Sequence, residues 1–269
     1  MNDSINHVIS KNCILPDWAN IRIPANRQST SQLQRLETLY KLIPNGTSRV
    51  LDVGTRDCFV PELISHLVDY IVAVDIEFID YELVSDNVIP VFSDATQLSF
   101  RNSSFDLVLC LEVLEHLPSY TMVMVAKELM RVTNKYLLVA VPFNQDLRVG
   151  KTTCLNCGTI NPPWGHLNSF STKTIRSIFK ELKLNSVTYS GNCNNRTNSF
   201  SSYLMDLAGN PYGAYDQIEK CTYCGEKLVK PAHVSKYKIL LAAIAGKITK
   251  AQRMLTSASP SIINMLFEK

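Results

Sequence analysis

Short apolar runs alternate with helix-like stretches over much of the chain. Five of these runs end near Val53, Val74, Phe92, Leu111 and Val141. Strands that alternate with helices predict a parallel sheet with right-handed crossovers and helices on both faces. Residues 187–189 predict a sixth strand, and residues 199–207 predict a seventh that runs in the opposite direction.

Helical periodicity flanks this alternation. Leu33, Leu36 and Leu39 recur at helical spacing, so a helix is predicted over 31–42. Three further helices are predicted over 60–68, 121–132 and 172–182.

The segment from Arg49 to Cys58 is the centre of the pattern. An apolar strand ends at Val53, a tight turn begins at Gly54, and a helix with Pro61 near its start follows. Glycine lets the backbone approach a ligand, and ligands bind at the carboxyl ends of strands in such sheets. This segment therefore predicts a ligand site.

Acidic residues stand near the ends of the first four strands: Asp52, Asp75, Asp94 and Glu112. Asp75 follows Asp52 by 23 residues, close to the spacing at which a second-strand acid reaches ribose hydroxyls. Several carboxylates at one edge would repel a pyrophosphate, so they predict a cationic ligand instead.

The order of these signatures, completed by Glu112-Val113-Leu114-Glu115-His116-Leu117-Pro118, resembles the class I S-adenosylmethionine-dependent methyltransferases over roughly residues 45–190. The resemblance implies a Rossmann-like, doubly wound α/β fold with a seven-stranded sheet, and S-adenosylmethionine as the cofactor. The implied cofactor-binding residues are Asp52, Gly54, Thr55, Asp75, Ile76, Asp94, Ala95 and Glu112.

The resemblance also implies a role for each strand end. Asp52 and Gly54 would lie under the methionine part of the cofactor, and Asp75 would bind the ribose hydroxyls. Asp94 would meet the adenine amino group, and Glu112 would lie beside the transferable methyl group.

Two positions depart from the family pattern. The family usually has glycine where Arg56 stands, and often where Cys58 stands. Two interpretations follow. The turn is a tolerated variant, or the cofactor pocket is weakened in a protein that has lost turnover.

Two Cys-x-x-Cys-Gly turns form a matched pair. Four thiolates make a tetrahedral shell suited to zinc, so a structural Zn²⁺ is predicted. The predicted ligands are Cys154, Cys157, Cys221 and Cys224. A redox dithiol fits less well, because neither pair opens a helix after a strand. Disulfides are the remaining alternative.

Asn161-Pro162-Pro163-Trp164 mimics the Asn-Pro-Pro-aromatic motif with which amino-methyltransferases hold adenine. In those enzymes the motif follows the fourth strand, whereas here it lies inside the cysteine loop. We interpret the prolines as residues that stiffen a turn.

Two histidines are candidate catalytic residues. A base with a pKa near 7 assists a hydroxyl acceptor, which points to histidine. His166 follows the fifth strand, and with Phe170 it matches the His-x-x-x-Phe pattern of small-molecule methyltransferases that the chain resembles. His116, in the loop after the fourth strand, is the second candidate. The alternative for His166 is that it caps or packs its loop or serves the metal region. The alternative for His116 is that it shapes the loop after the fourth strand, as this signature mostly does in the family that the chain resembles.

The 269-residue chain has a net charge of +3 that is unevenly distributed. Residues 227–269 carry eight basic side chains against one acidic side chain. Residues 237–255 predict an amphipathic helix that packs on the body, packs on another subunit, or contacts an anionic membrane surface or an acidic polymer. Nucleic acid is the least favoured partner.

The predicted organisation has four parts. They are an N-terminal arm and helix forming a lid (1–44), a methyltransferase domain (45–207) with a cysteine-rich loop (150–166), a second zinc knuckle (208–233), and a C-terminal basic amphipathic helix (234–269). The sequence shows neither a secretory signal nor an apolar stretch of about 18 residues. A cytoplasmic protein, peripheral to the membrane if the tail helix binds lipid, is therefore predicted.

Together these features predict an S-adenosylmethionine-dependent methyltransferase acting on a hydroxyl or amine of a small molecule, sugar or lipid-linked glycan. A resemblance to sugar and surface-glycan methyltransferases with Cys-x-x-Cys-Gly loops favours a glycan. Two alternatives stay open. One is a binding module of the same fold without turnover, and the other is an RNA- or DNA-modifying methyltransferase that docks through its zinc region.

Overall fold

A computed structural model describes residues 29–77 and 84–269, so the predicted arm over residues 1–28 lies outside the described residues. The helices and strands are α1 (Thr30–Lys41), β1 (Arg49–Val53), α2 (Phe59–Ile64), β2 (Tyr70–Asp75), β3 (Val88–Phe92), β4 (Phe105–Leu111), α3 (Ser119–Val132), β5 (Thr133–Pro142), α4 (Thr172–Ile178), β6 (Lys183–Cys193), α5 (Ser199–Leu207), α6 (Lys236–Met254) and β7 (Ser259–Glu268). The cysteine loop adds a small hairpin of two-residue strands, Thr152–Thr153 and Ile160–Asn161.

The seven strands form a sheet in the order β3-β2-β1-β4-β5-β7-β6. Strands β1 to β5 pair in parallel, and β7 lies antiparallel between β5 and β6. The direction of the crossovers reverses between β1 and β4, where doubly wound sheets bind their ligands. The predicted Rossmann-like α/β fold with seven strands is confirmed.

The seventh strand was predicted in the wrong place. Residues 199–207 form α5, whose N-cap Asn198 accepts a hydrogen bond from the backbone N–H of Ser201 at 2.8 Å. The seventh strand is β7, and its run from Ile262 to Phe267 is buried between β5 and β6. The tail is therefore helical only up to Met254, and the prediction of a helix over 234–269 is wrong beyond that residue.

Two apolar clusters cover the faces of the sheet. Leu51 and Val53 of β1 point into the cluster that contains α3 and α4, whereas Val50 points into the cluster that contains α1 and α2. This alternation follows from the two-residue period of a strand. Apolar packing on both faces fixes the sheet, so the residues at the carboxyl ends of its strands have defined positions.

The predicted basic helix of the tail is present as α6. Its small residues Ala242 and Ala245 are buried, and the carbonyl of Ala245 accepts a hydrogen bond from Ser201 of α5. Leu240 and Ile244 stay exposed. None of the described helices combines the length and apolar character needed to cross a bilayer. Association of α6 with lipid or with a second copy stays a prediction.

Candidate functional site

The strand order brings the predicted cofactor acids to one edge of the sheet. Strands β3, β2, β1 and β4 are parallel neighbours, so their carboxyl ends meet there. Asp94, Asp75, Asp52 and Glu112 therefore follow one another along this edge in the same order as their strands. We call this row the acidic edge.

Gly54 forms the turn at the centre of the acidic edge. Its φ is +80°, and a Cβ atom added there would lie 2.3 Å from Cγ2 of Val113. The backbone N–H groups of Gly54 and Thr55 donate to the carbonyl of Val74 at 2.8 and 3.1 Å, which ties the turn to β2. Glycine thus satisfies both the left-handed backbone and the close approach of the loop after β4.

Asp75 joins the ends of β1 and β2. Its carboxylate accepts hydrogen bonds from the backbone N–H groups of Arg56 at 2.8 Å and Glu77 at 2.9 Å. A carboxylate has about four acceptor positions, so two remain for a ligand. Ile76, the next residue, is 63% exposed and presents an apolar side chain beside them.

Asp52 is buried under the turn, with 3% of its surface exposed. Burial is the main cause that raises the pKa of its carboxyl group to about 7; the side chain of Thr55 lowers the pKa, and the charges of Asp75 and Asp57 contribute to the rise. Thr55 is buried in the same turn. A cation at this edge would favour the ionised form of Asp52.

The outer positions of the acidic edge are more exposed. Asp94 accepts hydrogen bonds from the backbone N–H and the hydroxyl of Thr96, both at 2.8 Å, and these bonds lower its pKa. Ala95 packs against the apolar core.

Glu112 has a φ of +57° and forms an ion pair with Arg35 of α1. No sequence pattern marks Arg35 as a partner of this edge.

The two positions that depart from the family pattern have left-handed backbone, with φ of 58° for Arg56 and 55° for Cys58. An L side chain in that region costs about 1–2 kcal/mol per residue. The turn therefore keeps the backbone shape that glycine permits, although these residues are strained in it. Whether the strain weakens cofactor binding stays a hypothesis.

The two predicted catalytic histidines lie together. The backbone N–H groups of Leu167 and Asn168 donate to the carbonyl oxygen of Glu115 at 2.7 and 3.2 Å. These bonds tie the loop before α4 to the 3₁₀ turn after β4. The rings of His116 and His166 consequently meet edge to face, with centroids 4.7 Å apart.

His166 is held in one tautomer by Gln145. Its Nδ1 lies 2.6 Å from Oε1 of Gln145, and an amide oxygen can only accept a hydrogen bond. Nδ1 therefore carries the proton, and Nε2 keeps its lone pair. Burial, together with the neighbouring His116, lowers the pKa of His166 to about 4, so the imidazole is neutral at pH 7. Sequence reasoning missed Gln145, which belongs to no recognisable motif.

The four predicted zinc ligands converge. Their Sγ atoms all lie within 4.8 Å of one another, and the pairs Cys154–Cys224 and Cys157–Cys221 are 3.6 Å apart. Sulfurs around a tetrahedral zinc with bonds of about 2.3 Å lie about 3.8 Å apart. A disulfide would need about 2.05 Å. The spacing therefore fits a metal site better than disulfides, and all four thiols are free.

The two cysteine turns have the same internal structure. The N–H of Gly158 donates to the carbonyl of Cys154, and the N–H of Gly225 donates to that of Cys221, each at 2.9 Å. Both glycines have positive φ. Backbone N–H groups, foremost that of Cys224, lower the pKa of Cys221 to about 6.

Asn161 links the two turns. Its Nδ2 lies 3.6 Å from Sγ of Cys221, and its Oδ1 accepts hydrogen bonds from the backbone N–H and hydroxyl of Thr222 at 2.8 and 2.9 Å. The side chain is 2% exposed. The asparagine of the Asn-Pro-Pro motif therefore supports the cysteine cluster, inside the loop where the sequence places it.

A family model described as a methyltransferase domain matches residues 25–189. The chain belongs to this methyltransferase family. A search of curated protein sequences finds no match.

Solved structures of methyltransferases share the fold. An S-adenosylmethionine-dependent methyltransferase from Archaeoglobus fulgidus is 17% identical, with 91% of this chain and 96% of that chain covered and a TM-score of 0.51. A Bacillus halodurans structure described as a methyltransferase is 16% identical, with 87% and 98% covered and a TM-score of 0.53. At these identities the likeness concerns the fold. Family and fold together confirm the predicted class I methyltransferase.

Proposed function

We propose that this methyltransferase transfers a methyl group from S-adenosylmethionine to a hydroxyl group of a phosphorylated sugar or lipid-linked glycan. The proposal rests on the acidic edge and on a nearby cavity that is lined by basic and hydroxyl side chains. The cavity adjoins the loop after β5, and β5 is the strand next to β4. The acidic edge suits the cationic cofactor, and the cavity suits an anionic, polyhydroxylated acceptor.

The residues of the acidic edge fit the cofactor. The absence of a side chain at Gly54 leaves space over the turn, and Asp52 and Asp75 supply negative charge for a cation. Asp75 has acceptor positions left for ribose hydroxyls, and Ile76 offers an apolar surface to adenine. When bound, S-adenosylmethionine supplies an electrophilic methyl group on a positively charged sulfur.

Cofactor binding is expected to strengthen as the pH rises. Asp52 has a pKa of about 7, so its charged form, which attracts a cation, becomes dominant above that value. Between about pH 6 and pH 8 the Kd for S-adenosylmethionine should fall about tenfold. Isothermal titration calorimetry at several pH values measures this change.

The Asp52→Asn variant is the matched control for the pH series. It keeps the shape of the buried side chain and cannot ionise, so its Kd should vary less with pH than that of the wild type. Identical pH profiles for the two proteins would contradict the role of Asp52.

A cavity of about 390 Å³ adjoins the loop after β5. Its lining includes four cationic side chains, Arg148, Lys151, Lys250 and Arg253, and five hydroxyl groups, those of Thr197, Ser201, Ser202, Tyr212 and Thr249. Two of the cations are paired, Arg148 with Asp146 and Lys151 with Asp206. Cations beside hydroxyl groups are suited to a phosphate attached to a sugar.

Residues 145–148 connect this cavity to His166. Gln145 holds the imidazole of His166, and its neighbour Asp146 accepts hydrogen bonds from Nε of Arg148 at 2.8 Å and from the N–H of Thr197 at 2.9 Å. We propose that a glycan whose phosphate binds in the cavity extends along this segment toward the histidines. In that arrangement a hydroxyl group of the glycan would be the methyl acceptor.

Methyl transfer to defined acceptors tests the proposal. With methyl-labelled S-adenosylmethionine, phosphorylated sugars should be labelled in preference to neutral sugars, amines and nucleic acids. Lys250→Ala should raise the KM for a phosphorylated acceptor about tenfold, because one charge-assisted contact is lost. Lys247→Ala, exposed on the same helix and outside the cavity lining, is the control and should leave the KM unchanged. Exclusive labelling of amines or nucleic acids would contradict the proposal.

We further propose that the cysteine cluster binds a structural zinc. Four sulfurs complete a tetrahedral shell and leave no position for water, so the site would not take part in chemistry. The buried apolar residues around it are few, Cys154, Cys221 and Leu228. So small a cluster needs a metal to hold its turns together.

A further inference from the structure

Glu115 carries a fully buried carboxyl group in the 3₁₀ turn after β4. Its side chain is 0% exposed, and neither of its carboxylate oxygens has a hydrogen-bond partner among the described residues. Buried carboxyl groups in proteins are paired, hydrogen-bonded or coordinated to a metal, because an unsatisfied one is costly. Glu115 therefore needs a partner.

Two histidine side chains adjoin this carboxyl group. One ligand atom from each of Glu115, His116 and His166 lies within 4.8 Å of the other two. Around an ion with bonds of about 2.1 Å, ligand atoms lie about 3.0–3.4 Å apart in octahedral or tetrahedral geometry. Small rotations of the three side chains would bring them to that spacing.

The backbone that carries these groups is fixed independently of their side chains. The side-chain amide of Asn168 donates to the carbonyls of Leu114 at 3.2 Å and Leu117 at 2.7 Å. The carbonyl of Glu115 accepts two further bonds from the loop that carries His166. The 3₁₀ turn after β4 and this loop are thus one unit, in which the three side chains are preorganised.

The hydrogen bond from His166 to Gln145 is typical of a metal ligand. Metal-binding histidines usually donate one ring N–H to an oxygen, which orients the other nitrogen toward the ion. Nδ1 of His166 donates to Gln145 at 2.6 Å, so Nε2 is the nitrogen with the available lone pair.

We propose that Glu115, His116 and His166 bind a divalent transition-metal ion. Two imidazoles and one carboxylate with open positions form a ligand set for such ions, distinct from the four thiolates of the cysteine cluster. The open positions would take hydroxyl oxygens of the acceptor. That role for the acceptor rests on the proposed function, whereas binding of the ion does not.

Titration of Mn²⁺ into the full-length protein, loaded with no more than one zinc per chain so that the cysteine cluster is filled first, tests the site. Mn²⁺ binds weakly to thiolates, and its free concentration can be followed by electron paramagnetic resonance. The wild type should bind about one Mn²⁺ per chain. Glu115→Gln and His166→Gln should each weaken binding more than about tenfold, and Gln145→Leu about tenfold through loss of the supporting bond. His233→Gln, an exposed histidine outside the group, is the control and should bind as the wild type does.

The folding of each variant is checked by its zinc content and circular dichroism. Glu115→Gln removes an unsatisfied buried carboxyl group and keeps the shape of the side chain, so this variant should fold. If Glu115→Gln does not fold, the Mn²⁺ affinity of His166→Gln decides the test. No Mn²⁺ bound to the wild type at about 1 mM, or equal affinity in wild type and both ligand variants, would overturn the proposal. Calorimetry with S-adenosylmethionine in the absence of Mn²⁺ distinguishes failure of the metal site from failure of the proposed function.

Discussion

Replacing Cys221 with serine is expected to release the proposed zinc and unfold the cysteine turns while the sheet stays folded. A serine hydroxyl is a poor replacement for a thiolate ligand, and the apolar cluster beside the cysteines is too small to hold the turns alone. The sheet has its own two clusters, on opposite faces. Zinc content should fall by about one ion per chain.

Hydrogen exchange read by mass spectrometry locates the effect. Amides over 152–161 and 221–228 should lose protection, whereas those of β1, β4 and β5 keep theirs. Cys193→Ser is the matched control, because Cys193 is a free thiol outside the cluster. Unchanged zinc content in Cys221→Ser, or equal exchange in the two variants, would show that the cluster is no metal site.

Adding one methyl group at Gly54 is expected to destabilise the fold by about 3 kcal/mol. The new Cβ would lie 2.3 Å from Cγ2 of Val113, so the loop after β4 must move. Overpacking of this kind costs about 1–3 kcal/mol, and left-handed backbone at a residue with a side chain adds about 1–2 kcal/mol. Denaturant unfolding of Gly54→Ala measures the change in the free energy of unfolding.

Gly46→Ala separates the cost of the left-handed backbone from the cost of the clash with Val113. Gly46 also has a positive φ, +75°, but an added Cβ meets nothing within 4 Å. It should therefore lose only about 1 kcal/mol. Val113→Ala removes the clashing atom, so in the Gly54→Ala background it should restore part of the loss. Equal destabilisation by Gly54→Ala and Gly46→Ala would contradict the close approach of the two loops.

The first five strands were predictable because each is a local apolar run bounded by polar or turn-forming residues. The acids at their ends were predictable for the same reason, since parallel neighbours bring their carboxyl ends to one edge. The match between the two cysteine turns could also be seen locally. In each case the signal lies within about ten residues of the feature that it predicts.

The seventh strand shows where local reasoning failed. Phe200, Tyr203 and Leu204 stand at helical spacing after the cap Asn198, so the local pattern favours the observed helix over the predicted strand. The apolar run of β7 was assigned to the tail helix, because its partners β5 and β6 are distant in sequence. Asn264 interrupts that run and is 3% exposed, with hydrogen bonds to Thr188 and Ser190 of β6.

Three residues of the site could not be found from the sequence. Arg35 meets Glu112, Gln145 holds His166, and Glu115 lies against the two histidines. Arg35 and Gln145 contact residues of other elements that are distant in sequence, and Glu115 is notable because it is buried. Neither feature can be recognised from the spacing of residues along the chain. The sequence indicated the histidines, whereas their environment depends on how the loops after β4 and β5 pack.

Calorimetric titration of S-adenosylmethionine into the wild type and an Asp75→Asn variant tests the central claim, that the acidic edge binds this cofactor. Asn keeps the shape of the side chain and removes its charge and two acceptor positions. The wild type should bind one cofactor per chain, and the variant should bind at least about tenfold more weakly. No binding by the wild type, or the same affinity in both proteins, would contradict the claim.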